Sequence, residues 1–298
     1  MKKPIKTSLA IIAAAGLTAL AGCSSGPAAT LDNGDQSDLT ISVFNGWPEG
    51  EAVSLLWADV LEGEGYNVEL EYSDVVPGFT GLSTGDYDLN MDVWLPGTHK
   101  EYVEQFGADI EDLGSWNNDA TLNIAVNDDA PIDSLEELAA NADLFNNTII
   151  GIEPGAGLTS ITEEAVIPGY GLEGFDFTPT STAAMLTELT AAEQTGENIV
   201  VTLWHPHWAY EAFGIKDLAD PQGLLGEAEG IHSFSRTGFS DDFPTVTGWM
   251  ENFEMDTETL DSLQNALFGS EADVSDYPEI VATWISENQE WVDGLTAE

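Results

Sequence analysis

The chain has 298 residues, a length for one large domain or two of ordinary size, and 43 % of them are hydrophobic, which excludes wholesale disorder. Six Lys and Arg face 54 Asp and Glu, a formal net charge of −48. That imbalance excludes nucleic acid, and an anionic bilayer surface, as partners of the folded part. The single cysteine, Cys23, excludes an internal disulfide and any zinc or iron–sulfur site built on cysteines.

Met1–Thr7 carries Lys2, Lys3 and Lys6, half of all basic residues. The apolar run Leu9–Ala21 follows. At 13 residues it is too short to span a membrane and suits the core of a signal peptide. It ends in Leu20-Ala21-Gly22-Cys23, which resembles the bacterial lipobox. That resemblance implies a lipoprotein signal peptide over residues 1–22, cleavage before Cys23 and lipid on its sulfur. The alternative is an ordinary signal peptide with an incidental cysteine. Residues 23–37 are rich in Ser, Gly, Ala and Asp, with no apolar period, and read as a flexible tether. Without the leader the chain keeps Lys100, Lys216 and Arg236 against 54 acids, a net −51. Such a surface repels itself in dilute buffer, and molar salt, with a Debye length of about 3 Å, screens it. The acidity reads as adaptation of an exported protein to a saline, halophilic setting. The plainer alternative is a solvated acidic face that aids solubility.

In chain order, Leu39–Phe44 reads as a strand ending in the turn Asn45-Gly46. Ala52–Glu62 has helical spacing, with Val53, Leu56, Trp57 and Val60 on one face. Asn67–Tyr72 alternates as a strand, Thr80–Thr84 reads as a short helix, and Asp86–Trp94 as a strand. Leu122–Val126 is a further strand. Ser134–Asn141 opens with Ser134 and Glu137 spaced as a capping box. Thr148–Ile152 is a short apolar strand entering Glu153-Pro154-Gly155-Ala156-Gly157, with a helix from about Thr159. Ala183–Glu193 reads as a helix, Asn198–Leu203 and Ile231–Arg236 as strands, and Asp256–Gly294 as mostly helical. The alternation argues an α/β architecture with mainly parallel sheets, split into two lobes.

Nine tryptophans is a high count for this length. Trp57, Trp284 and Trp291 sit where core packing explains them. Trp47, Trp94 and Trp204 instead stand where strands give way to loops with Pro or Gly alongside, and the carboxyl ends of strands are where α/β sheets bind ligands. Three such rings suit a cation, above all a quaternary ammonium, which needs no hydrogen-bond acceptor. Sugars also stack on tryptophan, but a sugar site wants many polar side chains beside the rings. Glu153–Leu158 is a strand-to-helix turn whose free N–H groups suit an anion, a carboxylate rather than a phosphate because no Lys or Arg is near in sequence. Gly155 and Gly157 also suit a mere tight turn. His99 is a candidate donor to the same carboxylate, or a packing residue.

Trp94-Leu95-Pro96-Gly97-Thr98-His99, Gly151-Ile152-Glu153-Pro154-Gly155-Ala156-Gly157 and Val201-Thr202-Leu203-Trp204-His205-Pro206-His207-Trp208 resemble motifs of the glycine betaine/proline betaine-binding proteins of ABC importers, the OpuAC-like substrate-binding proteins. Asp74–Leu82 and Gly85–Leu89 fit as well, so the resemblance runs from about Leu39 to Phe253. It implies a two-lobed, periplasmic-binding-protein-like (type II) fold with a ligand cleft between the lobes. It implies a ring cage for the quaternary ammonium at Trp47, Trp94 and Trp204. The ligand carboxylate would meet the Gly157 and Leu158 N–H groups and His99. His205 departs from the pattern; with His207 it hints at a metal, but Pro206 between them and the lack of a further histidine cluster argue against one.

The expectation is therefore a receptor anchored by lipid at Cys23 on the outer face of the cytoplasmic membrane. It would capture a small quaternary ammonium solute for osmoprotectant uptake and pass it to the transmembrane subunit of an ABC permease. Lobe 1 would comprise 38–120 plus 234–298, and lobe 2 would comprise 121–233. The crossings would lie at Leu122–Val126 and Ile231–Arg236. No cofactor, metal or catalytic residue is expected, since no nucleophile–base pair or phosphate-loop motif appears. A choline or carnitine receptor is the alternative among binding proteins. A secreted hydrolase using paired carboxylates is the alternative among enzymes.

Overall fold

The computed structural model describes residues 30–269 and 272–297. Residues 1–22, read from the sequence as a signal peptide, and Cys23 lie outside the described residues. Nine strands are found there: β1 (Asp38–Phe44), β2 (Asn67–Ser73), β3 (Leu89–Leu95), β4 (Ile110–Asn127), β5 (Thr148–Gly151), β6 (Asp176–Pro179), β7 (Val200–His205), β8 (Ile215–Asp217) and β9 (Glu229–Arg236). They are ordered β2-β1-β3-β9-β4-β7-β5-β6, with β8 added on β4.

Parallel pairing holds on both flanks: β1 with β2 and β3, and β5 with β6 and β7. The centre is antiparallel, which the expectation of mainly parallel sheets does not include. The cause is β4. Its first part, Ile110–Ala120, pairs with β9, and its second part, Thr121–Asn127, pairs with β7 and β8. One strand thus belongs to both halves of the sheet. Only Leu122–Val126 is legible from the sequence. Upstream, Gly114-Ser115-Trp116-Asn117-Asn118-Asp119 shows no alternation, and the ladder there shifts register three times between Asp112 and Ala120.

The other elements follow from local chemistry. The helix Pro48–Gly63 starts with Pro48 in its first turn and with Glu49 and Glu51 near its positive end. Its inward face, Val53, Leu56 and Trp57, is wholly buried. The tail forms the helices Thr257–Phe268, Tyr277–Glu287 and Gln289–Asp293. Trp284 and Trp291 pair there edge to face, with centroids 5.9 Å apart. Ser134 caps its helix by accepting from the Glu136 N–H, but Glu137 reaches back to the N–H of Asp133, one residue before the position a capping box requires.

The segment read as a tether is packed where it is described. Asp35 is fully buried and accepts from the Tyr66 hydroxyl at 2.7 Å and from the N–H groups of Thr245 and Val246 at 3.0 and 3.1 Å. It thereby satisfies free donors at the start of the helix Pro244–Glu251. A polar composition reads as a linker until one carboxylate finds such donors.

Candidate functional site: an aromatic cavity between the sheet halves

Each candidate cage ring stands where a strand runs out. Trp47 follows β1 across Asn45-Gly46, whose glycine takes φ +80°. Trp94 is the next-to-last residue of β3, and Trp204 that of β7. The Leu95–Pro96 and His205–Pro206 peptide bonds just beyond them are cis. All three rings are nearly fully buried. They line one cavity of about 270 Å³, part of it open to solvent, and Gly157 and Leu158 line it with them. Trp47 and Trp204 come from opposite halves of the sheet and meet edge to face, centroids 6.3 Å apart.

Each of these three indole N–H groups is held by a carboxyl group. Trp47 donates to Glu153 at 3.3 Å, Trp94 to Asp92 at 2.8 Å and Trp204 to Glu49 at 2.9 Å. Such a bond fixes the tilt of a ring. Burial, and then the neighbouring Asp92 charge, holds Glu49 well above the usual carboxylate range. Burial pushes Asp92 up to about 7. Two carboxyls so close and so buried do not both ionise readily at neutral pH. Glu49 itself lines the cavity.

The helix Gly157–Ile161 begins at the end of the Glu153–Ala156 turn, two residues before the sequence suggests. Its first backbone bond is donated by Ser160 to the Ala156 carbonyl. The Gly157 and Leu158 N–H groups therefore lie at the free end of the helix. Gly157 is required here, because a Cβ would run into the Thr98 carbonyl oxygen. The Thr98 loop is pinned in turn by Glu229 of β9, which accepts from the N–H groups of Gly97 and Thr98 and from the Thr98 hydroxyl.

His99 is not among the residues lining the cavity. It is fully buried against the Trp47 ring, with Phe44 and Phe79 around it. Its Nδ1 accepts from the Trp94 N–H at 2.8 Å, which assigns the remaining ring proton to Nε2. Burial pushes its pKa down to about 3, so the ring is neutral at ordinary pH. Nε2 has no protein partner.

His205 and His207 do different work. His205 bonds Asp217 at 2.9 Å and stacks on Tyr210, away from the cavity. His207 is buried edge-on to Trp204, with centroids 4.7 Å apart. Among the described residues no group of three or more His, Cys, Asp or Glu is placed to hold a metal ion. The structure adds Glu49, Asp92, Glu153 and Thr98 to the residues the sequence points to. Thr98 and Glu153 stand inside the quoted motifs without being singled out there, and nothing distinguishes Glu49 and Asp92 among 54 acids.

The geometry can be compared with known proteins. Residues 37–287 match the model of the substrate-binding domain of ABC-type glycine betaine transport systems. The glycine betaine/carnitine transport binding protein GbuC of Listeria monocytogenes is 34 % identical over 172 residues, a match spanning 56 % of this chain and 55 % of that protein. Lactococcal OpuAC, in its closed-liganded conformation complexed with glycine betaine, superposes with a TM-score of 0.79 at 26 % identity, covering 88 % of this chain and 100 % of that one. The glycine betaine, L-proline transporter binding protein ProX of Borrelia burgdorferi superposes with a TM-score of 0.80 at 28 % identity, covering 88 % and 97 %. The fold is that of the two-lobed type II binding proteins. The chain belongs to the OpuAC family, the substrate-binding domains of ABC-type glycine betaine transport systems, and so to transport receptors rather than enzymes.

Proposed function

We propose that this chain captures glycine betaine, or a betaine of similar size, outside the cytoplasmic membrane and delivers it to its ABC permease. One observation carries the reading: three indoles from both halves of the sheet share one cavity with the free N–H end of a helix. The rings suit a methylated ammonium, at about 0.5–2 kcal/mol each. Gly157 and Leu158 suit a carboxylate, and neutral His99 would add a third donor. A betaine carries both charges in one small molecule. The lobes would be 38–120 plus 234–298 and 121–233, closing as hinged bodies on the ligand. Cys23 would carry the lipid that keeps the receptor at the membrane.

Choline and carnitine are the competing ligands. Choline has the cation and no carboxylate, so it would leave the Gly157 and Leu158 donors unmatched, at a cost in affinity. Carnitine has both charges on a longer chain. Calorimetric titration with glycine betaine, proline betaine, carnitine and choline tests the reading. Glycine betaine or proline betaine should bind most tightly. Tightest binding of choline would overturn it in favour of a choline receptor.

A further inference from the structure

Two of the three indole–carboxyl bonds cross between the sheet halves, and they do so reciprocally. Trp47, after β1, donates to Glu153, which follows β5. Trp204, on β7, donates to Glu49, which follows β1. Each half thus supplies one ring and one acceptor to the other. Each acceptor is also anchored within its own half. Glu153 accepts from the Thr182 N–H at 2.7 Å and from the Thr182 hydroxyl at 3.0 Å. Glu49 sits fully buried in the first turn of the helix Pro48–Gly63. The approach is close: a Cβ on Gly46, which takes φ +80°, would lie 3.2 Å from the Thr182 Cβ, tighter than an ordinary contact.

From this arrangement we propose that Glu49 and Glu153 are closure-positioning residues, each holding a cage ring of the opposite lobe, so that closing the cleft and assembling the cage are one event. The inference rests on the betaine-capture reading of the cavity. When the lobes part, each of these two indoles leaves its acceptor and its orientation is no longer fixed. A cation meets oriented faces only after closure. The two bonds exist only in the closed state, so they stabilise it differentially, which is the condition for shifting an open–closed equilibrium. Association begins in the open state and does not use them. Release requires breaking both, so their loss acts on the dissociation rate. A carboxylate serving only its own lobe would change the melting temperature and leave ligand release alone.

Stopped-flow tryptophan fluorescence with glycine betaine, alongside melting curves, tests this with Glu153→Ala, Glu153→Gln and Glu49→Gln. Glu153 is only half-buried, so its variants should fold. Glu153→Ala should release betaine about ten- to a hundred-fold faster, from the loss of one bond to a charged acceptor. Its association rate should stay within about three-fold of wild type. Glu153→Gln keeps an acceptor oxygen and should recover most of the loss. Glu49→Gln, which keeps the volume, should fall between the two. Wild-type protein that binds betaine while Glu153→Ala releases it at the wild-type rate overturns the latch alone. So does a Glu153→Gln variant no better than Glu153→Ala. Wild-type protein that binds no betaine, choline or carnitine overturns the capture reading and the latch with it.

Discussion

The imidazole of His99 lies flat against the indole of Trp47, with ring centroids 5.5 Å apart and planes within 7°. The same imidazole accepts the backbone N–H of Trp94. One side chain therefore supports two of the candidate cage rings. His99→Ala should weaken quaternary ammonium ligands generally, because both rings lose support. Glycine betaine should suffer more than choline, because only betaine has a carboxylate to lose. Dissociation constants for both ligands, in wild type and variant, give the comparison. An unchanged betaine-to-choline ratio would restrict His99 to supporting the rings.

The cage itself is tested by removing one ring at a time. Trp94→Ala and Trp204→Ala should each cost about 1–2 kcal/mol of betaine binding, roughly 5- to 30-fold in affinity. The effects should not add in the double variant, because the rings share one guest. Trp57 is the control: it is wholly buried on the helix Pro48–Gly63 and does not line the cavity. Trp57→Ala should lower stability by about 3–5 kcal/mol and leave the affinity of the folded fraction nearly unchanged. Wild-type affinity in both Trp94→Ala and Trp204→Ala would remove the cage from the account.

The rings were legible in the sequence and their supports were not. Core packing explains any one of Trp47, Trp94 and Trp204 alone, and they stand out only as three rings at strand ends beside Pro or Gly. Glu49, Asp92 and Glu153 have no such contrast among 54 acids. The partner of Glu49 lies 155 positions away, so only the folded chain brings them together. Of the flanking parallel strands, β1, β3, β5 and β7 were legible from their apolar residues and β2 from its alternation, but the four residues of β6, Asp-Phe-Thr-Pro, carry no such signal. The first part of β4 was not, because register shifts break its alternation. Asp35 shows the same limit, since its role depends on a helix start more than 200 residues on.

The buried acids and histidines give a pH signature with a definite sign. Asp92 has a folded pKa of about 7 against an ordinary 3.8, so it keeps its proton in the fold and loses it on unfolding. Its share of stability is complete below the unfolded value and is lost as pH rises through about 7. His99 and His207 run the other way, pushed from 6.5 to about 3. Their share is complete above 6.5 and is lost as pH falls through about 3. The two trends oppose each other through the acidic range. Asp92→Asn removes the first and keeps an acceptor for Trp94. The melting temperature of this variant relative to wild type should therefore rise by several °C between about pH 5 and pH 8. Thermal melts at matched ionic strength measure it, and a difference constant across that range would refute the assignment.

The anchor is tested in the native host. Cys23→Ser should lose lipid labelling and move from the membrane fraction to the soluble one. Wild-type protein that is soluble and unlabelled would leave an ordinary signal peptide as the account of residues 1–22.

Salt dependence follows from how few cations the fold has to distribute. Lys216 pairs with Asp133 at 2.6 Å, Arg236 with Asp88 and Asp242 at 2.7 and 2.6 Å, and Lys100 with Glu104 at 3.8 Å. These three are the only Lys or Arg beyond residue 22, and among the described residues they meet four acids. The acids left without a cation repel one another through solvent, and unfolding spreads them apart. Salt shortens the reach of that repulsion from about 10 Å at 0.1 M to about 3 Å at 1 M. It also weakens the exposed Lys100 pair, which contributes little to begin with. The melting temperature should therefore climb as NaCl rises from about 0.1 M to about 2 M. Betaine affinity should change far less, because a cation enclosed by buried rings is shielded from bulk ions. A melting temperature that is flat or falling over this range would mean that the acidity serves solubility alone.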